Sequence, residues 1–350
     1  MQEKISPKYT NKLFWKNKNI LITGINGFIG GNLTKKLVSL GANVVGITND
    51  RKKDNFLVFE NLIDKINYHY VDISDYEEVK KIIISNNIQI CFHMAAQVDV
   101  NVAKIKPHLT FENNIKGTYN LLEALRLSKT IKSIIVASSD KAYGEYKLKD
   151  LPYLEDYDLR PLYPYDVSKA CADLITKSYS TSLFNLPVVT TRFSNIYGPG
   201  QLNLTALIPD CILANLKLRK FIPRGNGKNK RDFLYVDDVV DLYLCLAFNL
   251  FKDKKLAGEI FNAGTGKGYT VNEITKNICL LKNNQKLYQN IKKSYVGKKL
   301  TGEIQHQFMS YAKLEKMFNW KPNHNIKEGL SITIDWYERF LAKYNYKKFL

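Results

Sequence analysis

Thr23-Gly24-Ile25-Asn26-Gly27-Phe28-Ile29-Gly30 follows the apolar run Asn19 to Ile22 and precedes Leu33, Leu37, Val38 and Leu40, which recur at helical spacing. The segment reads as strand, glycine turn, helix. Gly24 permits a tight turn, Gly27 lets the backbone approach a pyrophosphate, and Gly30 lets the helix pack closely on the sheet. A helix that begins there offers unpaired N–H groups and the positive end of its dipole to phosphates. With a strand before it and a helix after it, the turn reads as a dinucleotide-binding loop rather than a purely structural one. Gly24, Asn26, Gly27, Phe28, Ile29 and Gly30 would then surround the cofactor.

Outward from this turn, strand-like segments follow at Asn43 to Ile47, Tyr68 to Val71, Ile88 to His93, Ser133 to Ser138 and Val188 to Phe193, with helical stretches between them. That alternation predicts an α/β fold, a Rossmann-type doubly wound parallel sheet. After Asn195 the rhythm loosens, with Pro199, Gly200, Pro209, Pro223, Gly225 and Gly227 before a short strand-like return at Phe233 to Val236. We therefore expect an NAD(P)-binding domain over 16–195 plus 232–263. A smaller C-terminal substrate-binding α/β domain is expected over 196–231 plus 264–350. A length of 350 residues suits two interwoven lobes.

The formal net charge of +19 raises nucleic acid or an anionic membrane as partner. The excess is scattered Lys, without an Arg-rich arm or a basic block interleaved with aromatics, and an anionic diphosphate substrate accounts for it without a polymer. No nucleic acid and no membrane partner is expected. Met1 to Lys18 lack an apolar core, and the apolar runs further in are broken long before a span's length. Cys91, Cys171, Cys211, Cys245 and Cys279 are odd in number and far apart, which fits a reducing cytoplasm. The five histidines form no metal-ligand spacing, so no metal is expected.

The acid that would hold an adenosine ribose should end the second strand, where Thr48-Asn49-Asp50-Arg51 stand. Asp50 suits a 2′-hydroxyl and Arg51 a 2′-phosphate, so NAD is favoured modestly and NADP stays open, as does a merely solvated loop. Asp72 and Ile73, at the end of the third strand, are placed beside the adenine.

Tyr165 and Lys169, four apart on one helix, share a face, where the ammonium is expected to favour tyrosinate and create a base near neutral pH. Spacing alone does not select them, because among 22 tyrosines Tyr76/Lys80 and Tyr143/Lys147 match as well. Context does. Tyr165 follows Pro164 at a helix start, downstream of the strand that ends Ala137-Ser138-Ser139, and both converge on the sheet edge where open α/β folds bind ligands. There Ser139 is placed to bond the hydroxyl that Tyr165 deprotonates; taken singly it would be a turn or capping residue.

In this order, Thr23 to Gly30, His93-Met94-Ala95-Ala96-Gln97, Asn114 to Thr118, Ser138 to Gly144, Tyr165 to Lys169 and Arg192 to Pro199 resemble the nucleotide-sugar epimerases and dehydratases, NAD-dependent short-chain dehydrogenases/reductases of the extended type. The likeness runs from Phe14 to Tyr337. It implies a nucleotide-diphosphate sugar substrate, tightly bound NAD, and usually a homodimer. It also implies that Ala95, Ala96, Gln97 and Asn114 lie beside the cofactor, that Asn195 and Arg231 contact the substrate diphosphate, and that Leu207 lies over the nucleotide base. The other reading of Arg231 is a surface ion pair with Asp232.

Ser138-Ser139-Asp140-Lys141-Ala142-Tyr143-Gly144 separates the subfamilies. In 4-epimerases the two positions after the Ser or Thr are small or unreactive, whereas 4,6-dehydratases carry the acid and base of water elimination there. Asp140 and Lys141, with Phe14-Trp15-Lys16 and Thr48-Asn49-Asp50, look most like CDP-glucose 4,6-dehydratase. Arg192 to Pro199 and Arg231 to Val236 read as general family segments and leave nucleotide and sugar open. The implied chemistry is transient oxidation at C4 with Tyr165 as base, then loss of the C6 hydroxyl with Asp140 as acid and the Lys141 side assisting at C5. A 4-epimerase using the same Tyr165 and Lys169 is the alternative reading. A dinucleotide-binding or nucleic-acid-binding protein without turnover is a further one, against which the Ser139/Tyr165/Lys169 set argues. For Asp140 and Lys141 themselves the competing reading is a solvated ion pair on a loop.

Overall fold

The apolar runs of the first half become strands: β1 (Asn19–Thr23), β2 (Asn43–Thr48), β3 (Asn67–Tyr70), β4 (Ile90–His93), β5 (Ser133–Ala137) and β6 (Val188–Phe193). They lie in one seven-stranded sheet of order β10-β6-β5-β4-β1-β2-β3, where β10 is Ile260–Ala263. The pairs from β3 across to β6 are all parallel. The helices Phe28–Ser39, Tyr76–Ser85, Gly117–Arg126 and Pro164–Ser180 make the crossovers. From β1 the chain builds outward one way through β2 and β3 and the other way through β4, β5 and β6, so the switch point where such sheets bind ligands lies between β1 and β4.

These facts come from a computed structural model that describes residues 8–51, 54–297 and 304–344. The chain divides into two units, the first comprising Met1–Gly144, Glu155–Phe193 and Val239–Asn262, the second Glu145–Leu154, Ser194–Asp238 and Ala263–Leu350. The segments 145–154 and 232–238 thus pack with the second unit, where the sequence reading kept them in the first.

Strand β6 is buried along its whole length and β1 at all but its first residue, so neither alternates in burial; β1 reads as an apolar run, whereas β6 buries Thr190, Thr191 and Arg192 as well. On one face Leu21, Val45, Cys91, Ile134 and Val188 pack with Val79, Ile82, Ile83, Leu121 and Leu125 from the crossover helices. Each such side chain, buried fully, contributes about 1.5–3 kcal/mol. The last strand of the sheet in chain order, Ile260-Phe261-Asn262-Ala263, pairs at the sheet edge beside β6. Among the described residues no helix is long and apolar enough to cross a membrane.

A buried ion pair ties β6 to the Pro164–Ser180 helix: Arg192 Nε and a terminal nitrogen donate to the two oxygens of Asp173 at 2.7 and 3.2 Å. The remaining guanidinium nitrogen donates to Tyr143 Oη at 2.8 Å, and that hydroxyl donates to Asn262 Oδ1 at 2.8 Å. Every partner is protein, so removing one member leaves a charge stranded in a low dielectric.

The second unit pairs β7 (Asn195–Tyr197) with β9 (Phe233–Tyr235) in parallel, and β8 (Lys230–Arg231) with β11 (Tyr269–Thr270) and β12 (His306–Gln307). Asp232, between β8 and β9, is wholly buried and accepts from Thr265 N–H and Oγ1, Gly266 N–H and Met309 N–H. One carboxylate therefore gathers three segments of the unit.

Arg192→Ala is expected to cost about 3–5 kcal/mol, because Asp173 is left buried without its cation. A urea transition followed by far-ultraviolet circular dichroism reads this as a lowered midpoint; an unchanged midpoint contradicts it.

Candidate active site

The carboxyl ends of β1 and β4 come so close that a Cβ built on Gly24, whose φ is +68°, would stand 2.8 Å from the Ala95 backbone. A Cβ on Gly30 would collide with the Gly24 carbonyl oxygen. Gly27 is the N-cap of the Phe28–Ser39 helix, with no side-chain cap and no acid in the first turn, so its leading N–H groups stay available to an anion. Asn26 Nδ2 donates to the Asp50 carbonyl at 2.9 Å and to Tyr68 Oη at 2.8 Å, while its Oδ1 is buried without a partner. A glycine cradle at an uncapped helix, flanked by an orphaned buried oxygen, fits the pyrophosphate and ribose of a dinucleotide.

Beyond β2, the Asp50 N–H donates to Thr48 Oγ1, and the Arg51 guanidinium lies 4.1 Å from the centre of the Tyr70 ring. The Asp72 carboxylate accepts from Ser74 N–H and Ser74 Oγ in its own turn and from Asn49 Nδ2 just after β2. The Ile73 side chain belongs to the apolar core, packed where Gly117 leaves room.

At the end of β4 a bonded chain locks the strand tips. The Ala95 N–H donates to Thr23 Oγ1 at 3.1 Å, and Thr23 Oγ1 lies 2.7 Å from His93 Nδ1. Thr118 Oγ1 spends its proton on the Asn114 carbonyl, so His93 Nε2, 3.0 Å from that hydroxyl, is the donor and His93 Nδ1 accepts from Thr23. Burial and then the neighbouring Lys169 charge push the imidazole down to about 3. Past Ala95 and Ala96, Gln97 is held by Asn114: its N–H donates to Asn114 Oδ1 at 2.7 Å, and Asn114 Nδ2 donates to the Gln97 carbonyl and to Ser168 Oγ at 2.9 Å. Asn114 sits in a π-helical turn, Glu112–Lys116, of the kind that recurs at functional sites.

Ser139, at the end of β5, accepts from the Lys141 N–H at 3.2 Å and donates to Asp140 Oδ1 at 3.0 Å, capping the 3₁₀ turn Asp140–Tyr143. Its hydroxyl also acts on the Tyr165 phenol, drawing its pKa down. Asp140 is only 3% exposed, and its Oδ2 is buried without a partner, so it is no solvated loop residue. Lys169 Nζ donates to the Ala137 carbonyl at 2.8 Å, and burial pushes its ammonium down to about 8 against the pull of Asp173.

Burial, and then the Asp140 charge, pushes the Tyr165 phenol above its ordinary range, and the Ser139 hydroxyl partly offsets this. A further ionisable group joins the site: Asp166, where burial raises the carboxyl to about 6, Lys141 pulls it down and Asp140 pushes it up. Its sequence position gave no signal, because an acid in a helix's first turn is commonplace.

In the second unit, Asn195 N–H and Nδ2 donate to the Asp232 carbonyl, and Leu207 opens the Leu207–Asn215 helix. A terminal nitrogen of Arg231 donates to the carbonyls of Lys230 and Gln305. Since the Asp232 carboxylate is turned inward onto N–H and hydroxyl donors, the surface ion pair with Arg231 is not formed.

The chain matches the family described as GDP-mannose 4,6 dehydratase over residues 21–333. It is similar to an Arabidopsis thaliana trifunctional UDP-glucose 4,6-dehydratase/UDP-4-keto-6-deoxy-D-glucose 3,5-epimerase/UDP-4-keto-L-rhamnose-reductase, 34% identical over 326 residues that cover 91% of this chain and 47% of the relative. The chain thus spans about half the length of that relative. It is 33% identical to the human dTDP-D-glucose 4,6-dehydratase, with 91% of this chain and 90% of the relative covered. Among solved structures, the Bacillus anthracis dTDP-glucose 4,6-dehydratase in complex with NAD superposes with a TM-score of 0.78 at 28% identity, covering 92% and 97% of the two chains. The Thermotoga maritima UDP-glucose 4-epimerase with UDP-glucose does so at 0.79 and 27%, covering 92% and 99%.

His93 has a folded value far below its ordinary 6.5, so an unfolded chain takes up this proton first. Stability from this group is complete above pH 6.5 and is lost as pH falls toward 3, at up to about 1.4 kcal/mol per pH unit. In urea titrations across that window, His93→Asn is expected to give a shallower acid slope than the parent chain; equal slopes contradict the assignment.

Proposed function

Because the chain belongs to the GDP-mannose 4,6-dehydratase family of nucleotide-sugar dehydratases and epimerases, we propose that it is a nucleotide-hexose 4,6-dehydratase working with NAD. It would convert an NDP-hexose to the NDP-4-keto-6-deoxyhexose and water. The observation that carries this reading is Asp140, an acid buried beside Ser139 with one oxygen unpartnered, because epimerisation at C4 has no use for it.

NAD, bound at the Gly24–Gly30 turn, supplies the reversible hydride acceptor and, when oxidised, a positively charged ring. Tyr165 Oη takes the proton of the C4 hydroxyl, which Ser139 Oγ orients. A phenol pushed up by burial and by Asp140 releases its proton only beside cations, and Lys169, anchored on the Ala137 carbonyl, is the one this helix provides. The C4 ketone then acidifies the C5 proton, which is removed on the Lys141 side while Asp140 protonates the leaving C6 oxygen, and hydride returned to C6 with a proton at C5 would give the 6-deoxy product. Asn195 and Arg231 are assigned to the diphosphate and Leu207 to the base. The Asp140-Lys141 pair supports a CDP-hexose; Arg51, stacked on Tyr70, supports tolerance of a 2′-phosphate.

A second reading, a 4-epimerase using the same Tyr165 and Lys169, draws on the similarity to the Thermotoga enzyme. Purified protein incubated with CDP-, GDP-, UDP- and dTDP-hexoses separates the two. A product lighter by one water supports the dehydratase, and an isomer of unchanged mass replaces it with the epimerase. Tyr165→Phe is expected to lower turnover at least about 100-fold while leaving dinucleotide binding intact; turnover within a few-fold of the parent removes Tyr165 from the scheme.

A further inference from the structure

Asp166 stands directly after Tyr165 in the first turn of the Pro164–Ser180 helix and is 6% exposed. An acid in that position ordinarily caps the helix or rests at the surface against its dipole. Asp166 does neither. Tyr163 is the N-cap and receives no side-chain cap bond, and among the described residues no donor hydrogen-bonds the Asp166 carboxylate. Its oxygens are nonetheless not among those sealed in the core without a partner, so they keep access from outside it.

The charged groups that face it are Lys141 and Asp140, from the 3₁₀ turn packed against this helix, and Tyr165 on its own helix. Asp140 turns one oxygen to Ser139 and leaves the other buried and unpartnered. Two carboxyl groups and one ammonium therefore gather where the 3₁₀ turn packs against this helix, within the first unit.

Loss of water from a 4-keto hexose is redox-neutral and needs an acid at the C6 oxygen and a base at C5. A lysine in its ammonium form has no lone pair with which to take a proton. Resting on the dehydratase reading above, we propose that Asp166 is the base of the elimination, with Lys141 as the cation beside it. The Asp166 carboxylate takes the C5 proton, and the C5–H electron pair becomes the C5=C6 double bond. The C6–O bond breaks, and Asp140 delivers the proton that completes water. Burial that lifts the Asp166 carboxyl to about 6 leaves it ionised near neutral pH yet basic enough to accept a proton.

The test uses the full chain with bound cofactor and a nucleotide hexose that the parent protein dehydrates. Asp166→Ala is expected to slow water loss about 100-fold or more, while single-turnover oxidation at C4, followed by cofactor absorbance, persists. Added formate should restore water loss in that variant by replacing the missing carboxylate. In the parent, kcat/KM should fall as pH drops through about 6, since the base must be ionised to act, and Asp166→Asn should lack that limb. Water loss unaltered in Asp166→Ala, a defect that formate does not lift, or an acid limb that persists in Asp166→Asn each overturns Asp166 as base and leaves the dehydratase reading standing. A parent chain that yields no product lighter by water from any nucleotide hexose overturns the dehydratase reading, and this inference with it.

Discussion

The close approach of β1 and β4 at their carboxyl ends, where only a hydrogen fits between Gly24 and the Ala95 backbone, is the constraint from which the rest of the first unit follows. It opens the crevice at the switch point and aims the leading N–H groups of the Phe28–Ser39 helix across it. The contact is held by Thr23, His93 and Thr118, bonded in series beneath the crevice floor. A satisfied buried hydrogen bond gains only about 0.5–1.5 kcal/mol, yet an orphaned partner costs about 1–3. Such a series specifies geometry more than it adds stability. From it, Asn114 reaches Ser168 and Lys169 reaches the Ala137 carbonyl, so the helix that carries Tyr165 is registered against the same strand ends.

Desolvation governs the charges placed there. It raises the Tyr165 phenol and the Asp166 carboxyl and lowers the Lys169 ammonium and the His93 imidazole, in each case toward the neutral form. His93 settles there, with both ring nitrogens bonded, and acts as scaffold. Lys169, at about 8, and Asp166, at about 6, sit near balance points that a cation or a proton arriving with the ligands tips, which is what reversible proton transfer requires. The Arg192 guanidinium, bonded twice by Asp173 of that same helix, is instead held above its ordinary range against the burial that opposes it.

Much of the sheet was legible because its strands are buried on both faces, which turns β1, β2, β4 and β5 into largely apolar runs. The glycine turn was legible because three glycines at that spacing between strand and helix answer to one geometric need. β10 was not, since Ile260-Phe261-Asn262-Ala263 takes its conformation from the strand it joins rather than from its residues. Tyr165 stood out only by context, among many Tyr and Lys four apart. Asp166 left no trace at all: a commonplace first-turn acid becomes unusual only when the 3₁₀ turn carrying Asp140 and Lys141 folds onto it. The second unit reaches into 145–154 through Tyr153, whose backbone exchanges hydrogen bonds with Phe308 and Ser310, and into 232–238 through the buried Asp232, which an Arg-Asp pair in sequence does not announce.

The account stands or falls on where a hydrogen travels. With a nucleotide hexose carrying deuterium at C4, a chain that oxidises C4, eliminates water across C5 and C6 and then reduces C6 will deliver the label to the C6 methyl group, seen by nuclear magnetic resonance of the product. Label that stays at C4, with or without inversion of that carbon, contradicts it.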